Sequence, residues 1–413
     1  MAGMSAILFE NAAVFDGVEP LGEANVLVAD GLVQAVSQSA LKAPAECEVI
    51  DLAGRTLMPG LIDAHVHIWA TDLDILKLIT RRTEYLAAFA YRALAAMLSR
   101  GFTTVRDAGG TDVGYVQALA DGLAPGPRLL HAGRILTQTG GHGDFRRTGD
   151  FTCACELREG GGARFAHVVD SPDEVRKAVR EELRNGAHQI KIMGSGGVMS
   201  PSDPVDRQQF SDAEIRTAVE EAARHGAYVM AHCHPAAAVR RCAELGVRSI
   251  EHATLIDQEA ADAVAKAGAF VVPTLATIWA LLEDGEALGM SAVSREKLLA
   301  VSGGVLQGLQ VMQRTKLKVG FGTDLLGAQQ DRQLSEFALR AQVFSPLEIL
   351  RQATSVNAEL LGLEREVGRV APGFAADLIA VGGDPLTDIA CLGDAASIAL
   401  IVQGGRVHKR VAP

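Results

Sequence analysis

Five times along the middle of this chain a helix-like stretch ends in glycine and gives way to a short apolar run closed by a polar residue. LSRG, ending at Gly101, precedes FTTVRDAG, and LRNG, ending at Gly186, precedes AHQIKIMGSGG. Gly226, Gly246 and Gly268 introduce AYVMAHCH, VRSIEHA and AFVVPT. A glycine after a helix suits the C′ position, where a left-handed backbone carries no Cβ penalty. The runs that follow are rich in Val, Ile and Phe and scarcely alternate, as strands buried on both faces do.

LKVGFGTD, Leu317 to Asp324, ends in the same way, while LMPGLIDAHVH and RLLHAG supply a first and a third strand. Uneven glycine spacing excludes a short solenoid repeat. Helix starts are marked as well: Ser171-Pro-Asp-Glu174, Ser211-Asp-Ala-Glu214 and Ser345-Pro-Leu-Glu348 all read as capping boxes. Eight buried strands alternating with helices predict an α/β fold, a (β/α)8 barrel of the TIM type. Both chain ends read differently, as short strands between turn residues. They predict one small β-sandwich domain built from residues 1–57 and 370–413, around a barrel spanning 58–369.

In such a barrel the chemistry collects where strands end. His65 and His67 close the first strand, Lys191 lies in the fourth, His232 and His252 close the fifth and sixth, and Asp324 the eighth. Residues i and i+2 of a strand share a face, so both histidines of LIDAHVHIW can point into the barrel mouth. Imidazoles and a carboxylate are what a zinc-like divalent ion needs. A single strand-end histidine is an ordinary rim residue, but ligand types on five strands at one end form a pattern. Lys191 is the odd member, because an unpaired buried ammonium is costly; a salt bridge to a carboxylate is its plain alternative.

PGLIDAHVH, the strand-borne lysine, the two later histidines, GTD and the C-terminal PGFAADLIAV together resemble the amidohydrolase superfamily over nearly the whole chain. KIMGSGGVMSPSD, AHCH, SIEHA, VPTL and FGTDLLGA resemble its metal-dependent prolidase and carboxypeptidase branch, related to imidazolonepropionase. The resemblance implies two divalent ions, with zinc the expected metal. His65, His67 and Asp324 would hold the more buried ion, His232 and His252 the other. Lys191, carboxylated by CO2, would bridge them as a carbamate. Asp324 would also be catalytic, moving a proton from water to the leaving amine.

The implied reaction is hydrolysis of the amide bond of a dipeptide (Xaa-Pro or Xaa-Xaa) or an N-acyl amino acid. Opening of a cyclic amide or lactam, as by hydantoinases or imidazolonepropionase, and hydrolysis of an ochratoxin-type amide are the alternatives. A barrel without activity, serving assembly, is expected to have lost ligands, and none of the six positions is vacant.

His142 in GGHGD and Tyr228 in AYVMAH are candidate contacts for a substrate carboxylate, though a loop hydrogen-bonder and a core residue are equally good readings of them. Arg207 and the run Gly194-Ser195-Gly196-Gly197 are weaker candidates. His234 reads as a neighbour of the site, and Glu283, Asp284 and Glu286 as a solvated helix face. The formal net charge of −11 argues against a nucleic-acid partner. No apolar run reaches membrane-spanning length, and no leader segment is evident. Six cysteines, with only Cys153 and Cys155 close together, read as free thiols in a reducing cytoplasm. A homo-oligomer is expected from the family resemblance.

Overall fold

The computed structural model describes residues 6–146, 149, 165–200 and 203–411. Cys153 and Cys155 lie outside the described residues. All five expected helix-ending glycines have positive φ, from 66° at Gly268 to 91° at Gly246, so the punctuation reflects a real backbone demand. Ser211 and Ser345 form complete capping boxes with Glu214 and Glu348. Ser171 caps its helix, but Glu174 reaches back to the amide of Asp170 instead of closing a box.

Two parallel sheets make the centre. One contains Leu61–Val66, Phe102–Asp107 and Arg128–His131. The other runs from Ala166–Val168 and Ile135–Thr137 through Gln189–Met193, Tyr228–Pro235, Ser249–Leu255 and Phe270–Val272 to Lys318–Val319. Backbone bonds join the two arcs at both seams. The amide of Ala64 donates to Phe321 O at 2.8 Å, and that of His188 to His131 O at 2.9 Å. Asn357 seals the first seam, donating to Ile62 O and Phe321 O and accepting from Phe321 N. The result is a barrel-like α/β unit of parallel strands, with the amphipathic helices packed on its outside. Its apolar core is continuous from Leu61 and Phe102 to Phe321 and Ile349.

Both chain ends join one eight-stranded sheet. Ile7–Phe15 pairs with Pro20–Ala29, Glu48–Asp51 and Thr56–Pro59, and the last of these pairs with Leu378–Val381. The strand pairing is that of one continuous sheet with its own core, Phe9, Val26, Leu57 and Leu400 among its members. The sheet curls back on itself, so that its edge at Val33 donates to Phe374 O at 2.9 Å and Val26 and Val33 share a core with Leu378 and Val402. Among the described residues no helix is long and apolar enough to cross a membrane.

Candidate metal centre

Register brings the polar residues to one rim. Met193 pairs with His232 and Cys233 with His252 across three neighbouring strands. Gly322 allows the eighth segment to lie against the first, since a Cβ there would sit 2.9 Å from His65 Cβ. Asp324 N then donates to His65 O at 2.8 Å, which hangs the carboxylate over the histidine pair. Asp324 (φ 54°) and His252 (φ 67°) both have left-handed backbones, a strain that persists only where its surroundings enforce it.

Asp324 Oδ1 lies 3.4 Å from His65 Nε2 and 3.3 Å from His67 Nε2. These three residues form a cluster whose ligand atoms all fall within 4.8 Å of one another. His232 and His252 face each other with ring centroids 4.6 Å apart, and His252 is 5.0 Å from His65. Lys191 lines the same cleft at 2 % exposure. Burial lowers its pKa, although Glu251 and Asp324 oppose this. The salt-bridge alternative fails: among the described residues no carboxylate lies within ion-pair distance of Nζ.

Each ring already has one nitrogen engaged. His65 Nδ1 meets Glu251 Oε2 at 2.6 Å, and His67 Nδ1 lies 3.4 Å from Gly109 O. His232 Nε2 is held by Gly196 O at 3.1 Å, and His252 Nδ1 by Thr274 Oγ1 at 2.8 Å. His65 and His67 turn their other nitrogens, both Nε2, to Asp324, and His65 Nε2 is buried without a hydrogen bond. This is how proteins orient metal-binding imidazoles. An orphaned imidazole nitrogen, an anionic carboxylate and an unpaired buried amine fit a divalent cation with its ligands. Burial alone would raise the Asp324 carboxyl, but His65, His67 and His252 hold it well below the usual carboxylate range.

Three buried carboxylates that carried no role in the sequence support this rim. Asp63 accepts from His65 N, Thr323 N and Thr323 Oγ1, tying the first strand to the eighth. Asp107 accepts from Ile68 N, Gly109 N and Thr111 Oγ1, fixing the turn beside His67. Glu251 joins His65 to the fully buried Arg106. The available signal was an acid inside an apolar strand, in LIDAH, VRDAG and SIEHA.

His142 lines the cleft and stacks on His232 at 4.3 Å. Its Nδ1 lies 2.8 Å from Ser200 Oγ, and Gly197 packs against the ring, where a Cβ would come within 2.3 Å. His234 also lines the cleft, its Nδ1 bonded to Thr254 Oγ1.

Tyr228 does not reach it. Parity turns the ring inward, but four residues of strand, roughly 13 Å, separate it from His232. Its hydroxyl instead receives Arg106 Nη1 at 3.3 Å. Arg207 is exposed beside Asp206. Glu283 and Asp284 pair with Arg332, and Glu286 with Arg295, so the acidic cluster belongs to the surface.

The cleft has a cavity volume of about 120 Å³ and opens to solvent. Away from the ligand cluster its walls are mostly apolar, including Leu78, Ile135, Phe145, Val198, Ile278 and Leu326.

The family model described as "Amidohydrolase family" matches residues 56–408. An ochratoxinase of Aspergillus niger is 30% identical over 409 residues, covering 95% of this chain and 84% of that protein. An imidazolonepropionase of Deinococcus deserti is 26% identical over 410 residues, covering 93% and 92%. A crystal structure of a prolidase complexed with N-methylphosphonate-L-proline superposes with a TM-score of 0.95. It is 41% identical, covering 98% of this chain and all of that one.

Proposed function

The chain belongs to the amidohydrolase family, and from that membership we propose that it is a binuclear metal-dependent amide hydrolase. Its proposed substrates are dipeptides, Xaa-Pro or Xaa-Xaa, or N-acyl amino acids. The observation that carries the reading is the set of strand-end imidazoles, each tied to the protein through one nitrogen, around Asp324 and the unpaired Lys191. His65, His67 and Asp324 would hold one ion, and His232 and His252 the other. Lys191, as a carbamate, would touch both. Bound there, two divalent ions acidify a water and polarise a carbonyl.

The chain's own residues supply the rest. Asp324 takes the proton of the attacking water on its carboxylate. Because its neighbours keep it anionic, it releases that proton readily to the departing amine nitrogen. The mostly apolar walls beside the ligand cluster would receive the substrate's side chains. His142, and beside it His234, offer donors to the substrate's free carboxylate, the feature shared by a dipeptide and an N-acyl amino acid. The likeness to a prolidase and an ochratoxinase supports an amide substrate.

On this reading residues 58–369 are the catalytic unit. The thiols Cys47, Cys233, Cys242 and Cys391, free among the described residues, fit a cytoplasmic setting.

The test is a substrate screen at fixed zinc. Xaa-Pro and Xaa-Xaa dipeptides, N-acetyl amino acids, hydantoins and lactams are compared. Cleavage of the carboxylate-bearing open amides is expected. Ring opening without any cleavage of open amides would overturn the reading.

A further inference from the structure

One cation next to the cleft has no role in the chemistry above. Lys297 lies on the helix Ala292–Ser302, far in sequence from any ligand, and its side chain is only 12 % exposed. Its ammonium spends its hydrogens on one segment. It donates to Ser200 O at 2.7 Å, Ser200 Oγ at 3.0 Å and Asp203 O at 3.1 Å. Asp203 Oδ1 lies 3.8 Å away. The same two residues hold His142, whose Nδ1 is 2.8 Å from Ser200 Oγ and 3.5 Å from Asp203 Oδ2.

Asp203 also accepts from Gly197 N, and Gly197 is the residue on which the His142 ring rests. Ser200 Oγ lies 3.1 Å from Gly197 O as well. With Nδ1 engaged, Nε2 is the nitrogen His142 has left for a ligand in the cleft. Without the ammonium, Ser200 and Asp203 have one tether fewer and a buried acid has no cation beside it.

We propose that Lys297 is a positioning residue for substrate recognition: it clamps Ser200 and Asp203 so that His142 presents Nε2 to the substrate carboxylate. This rests on the reading above that His142 meets that carboxylate. It places a determinant of specificity on an outer helix of the barrel, away from the reacting bond.

The experiment uses the metal-loaded full chain and two substrates, the best open amide from the screen and its C-terminal carboxamide. For K297M, KM for the carboxylate substrate is expected to rise roughly tenfold with kcat within about threefold. The carboxamide's kinetics are expected to stay unchanged, and K297R to restore the carboxylate KM. Equal losses on both substrates, or none on either, would overturn the proposal. If K297M does not fold, as judged by its melting midpoint, K297Q is read in the same way.

H142A separates the two layers of inference. If it too fails to distinguish carboxylate from carboxamide, His142 does not meet the carboxylate and both fall. If H142A distinguishes them and K297M does not, the inference about Lys297 alone is overturned.

Discussion

Glu251→Gln isolates the buried support beneath the candidate metal site. The carboxylate is fully buried and serves three partners. It meets His65 Nδ1 at 2.6 Å and Arg106 Nη2 at 3.0 Å, and it accepts the hydroxyl of Ser249. Burial alone would raise its pKa, but Arg106 and then His65 bring it down from 4.5 to about 2. At 1.36 kcal/mol per pH unit, that fall corresponds to a stabilisation on the order of 3 kcal/mol at neutral pH.

The sign follows from the depressed value: the contribution is present above about pH 4.5 and is lost as the pH falls toward 2. Glutamine keeps the shape but leaves the Arg106 guanidinium buried and uncompensated, which costs about 3–5 kcal/mol in comparable cases. It also weakens the group that orients His65, and such outer partners are worth about 10–100-fold in metal affinity. The assay is urea unfolding of the chelator-stripped protein at neutral pH, with zinc affinity measured separately by competition.

The expected result is a loss of about 3 kcal/mol together with a tenfold or greater fall in affinity. Replacing Arg106 by methionine in the same chain should recover part of the stability but not the affinity, because the stranded charge is gone while His65 still lacks its partner. A loss below about 1 kcal/mol with unchanged zinc affinity would refute the reasoning.

Asp324→Asn should lower kcat by about 10²–10⁴-fold or more while the melting midpoint of the folded protein stays within a few degrees; retained turnover would remove Asp324 from the chemistry. Gly197→Ala drives a methyl into the His142 ring, and KM for carboxylate substrates should rise more than kcat falls, as steady-state kinetics will show. His131 is buried away from the metal centre with both ring nitrogens unpartnered, and burial lowers its pKa to about 4. The unfolded chain therefore binds a proton that the folded one refuses, so stability declines as pH falls from about 6.5 to 4. His131→Gln should flatten that decline in urea midpoints, and an unchanged slope would sink the assignment.

The candidate ligands were legible because barrel geometry makes them so. A strand's period of two put His65 and His67 on one face, the glycine punctuation placed His232 and His252 at the same end of other strands, and the like ending of LKVGFGTD placed Asp324 there. Lys191 stood out because nothing in IKIMG could neutralise it. Depth along a strand was harder to read: parity pointed Tyr228 inward but gave no sign that it lay at the opposite end of its strand. Asp63, Asp107 and Glu251 were visible only as acids in apolar runs, since their partners lie up to 270 residues away in the chain. The link between Lys297 and His142 is likewise a product of packing, as no local pattern joins a helix lysine to a loop histidine.

The central claim is that two ions, bridged through Lys191, make this site active. Chelator-stripped protein is titrated with zinc in bicarbonate buffer while bound metal and amide hydrolysis are followed together. Activity should climb until two equivalents are bound and then stop, and Lys191→Ala should never reach that level. Full activity at one bound equivalent, or full activity in Lys191→Ala, would contradict the account.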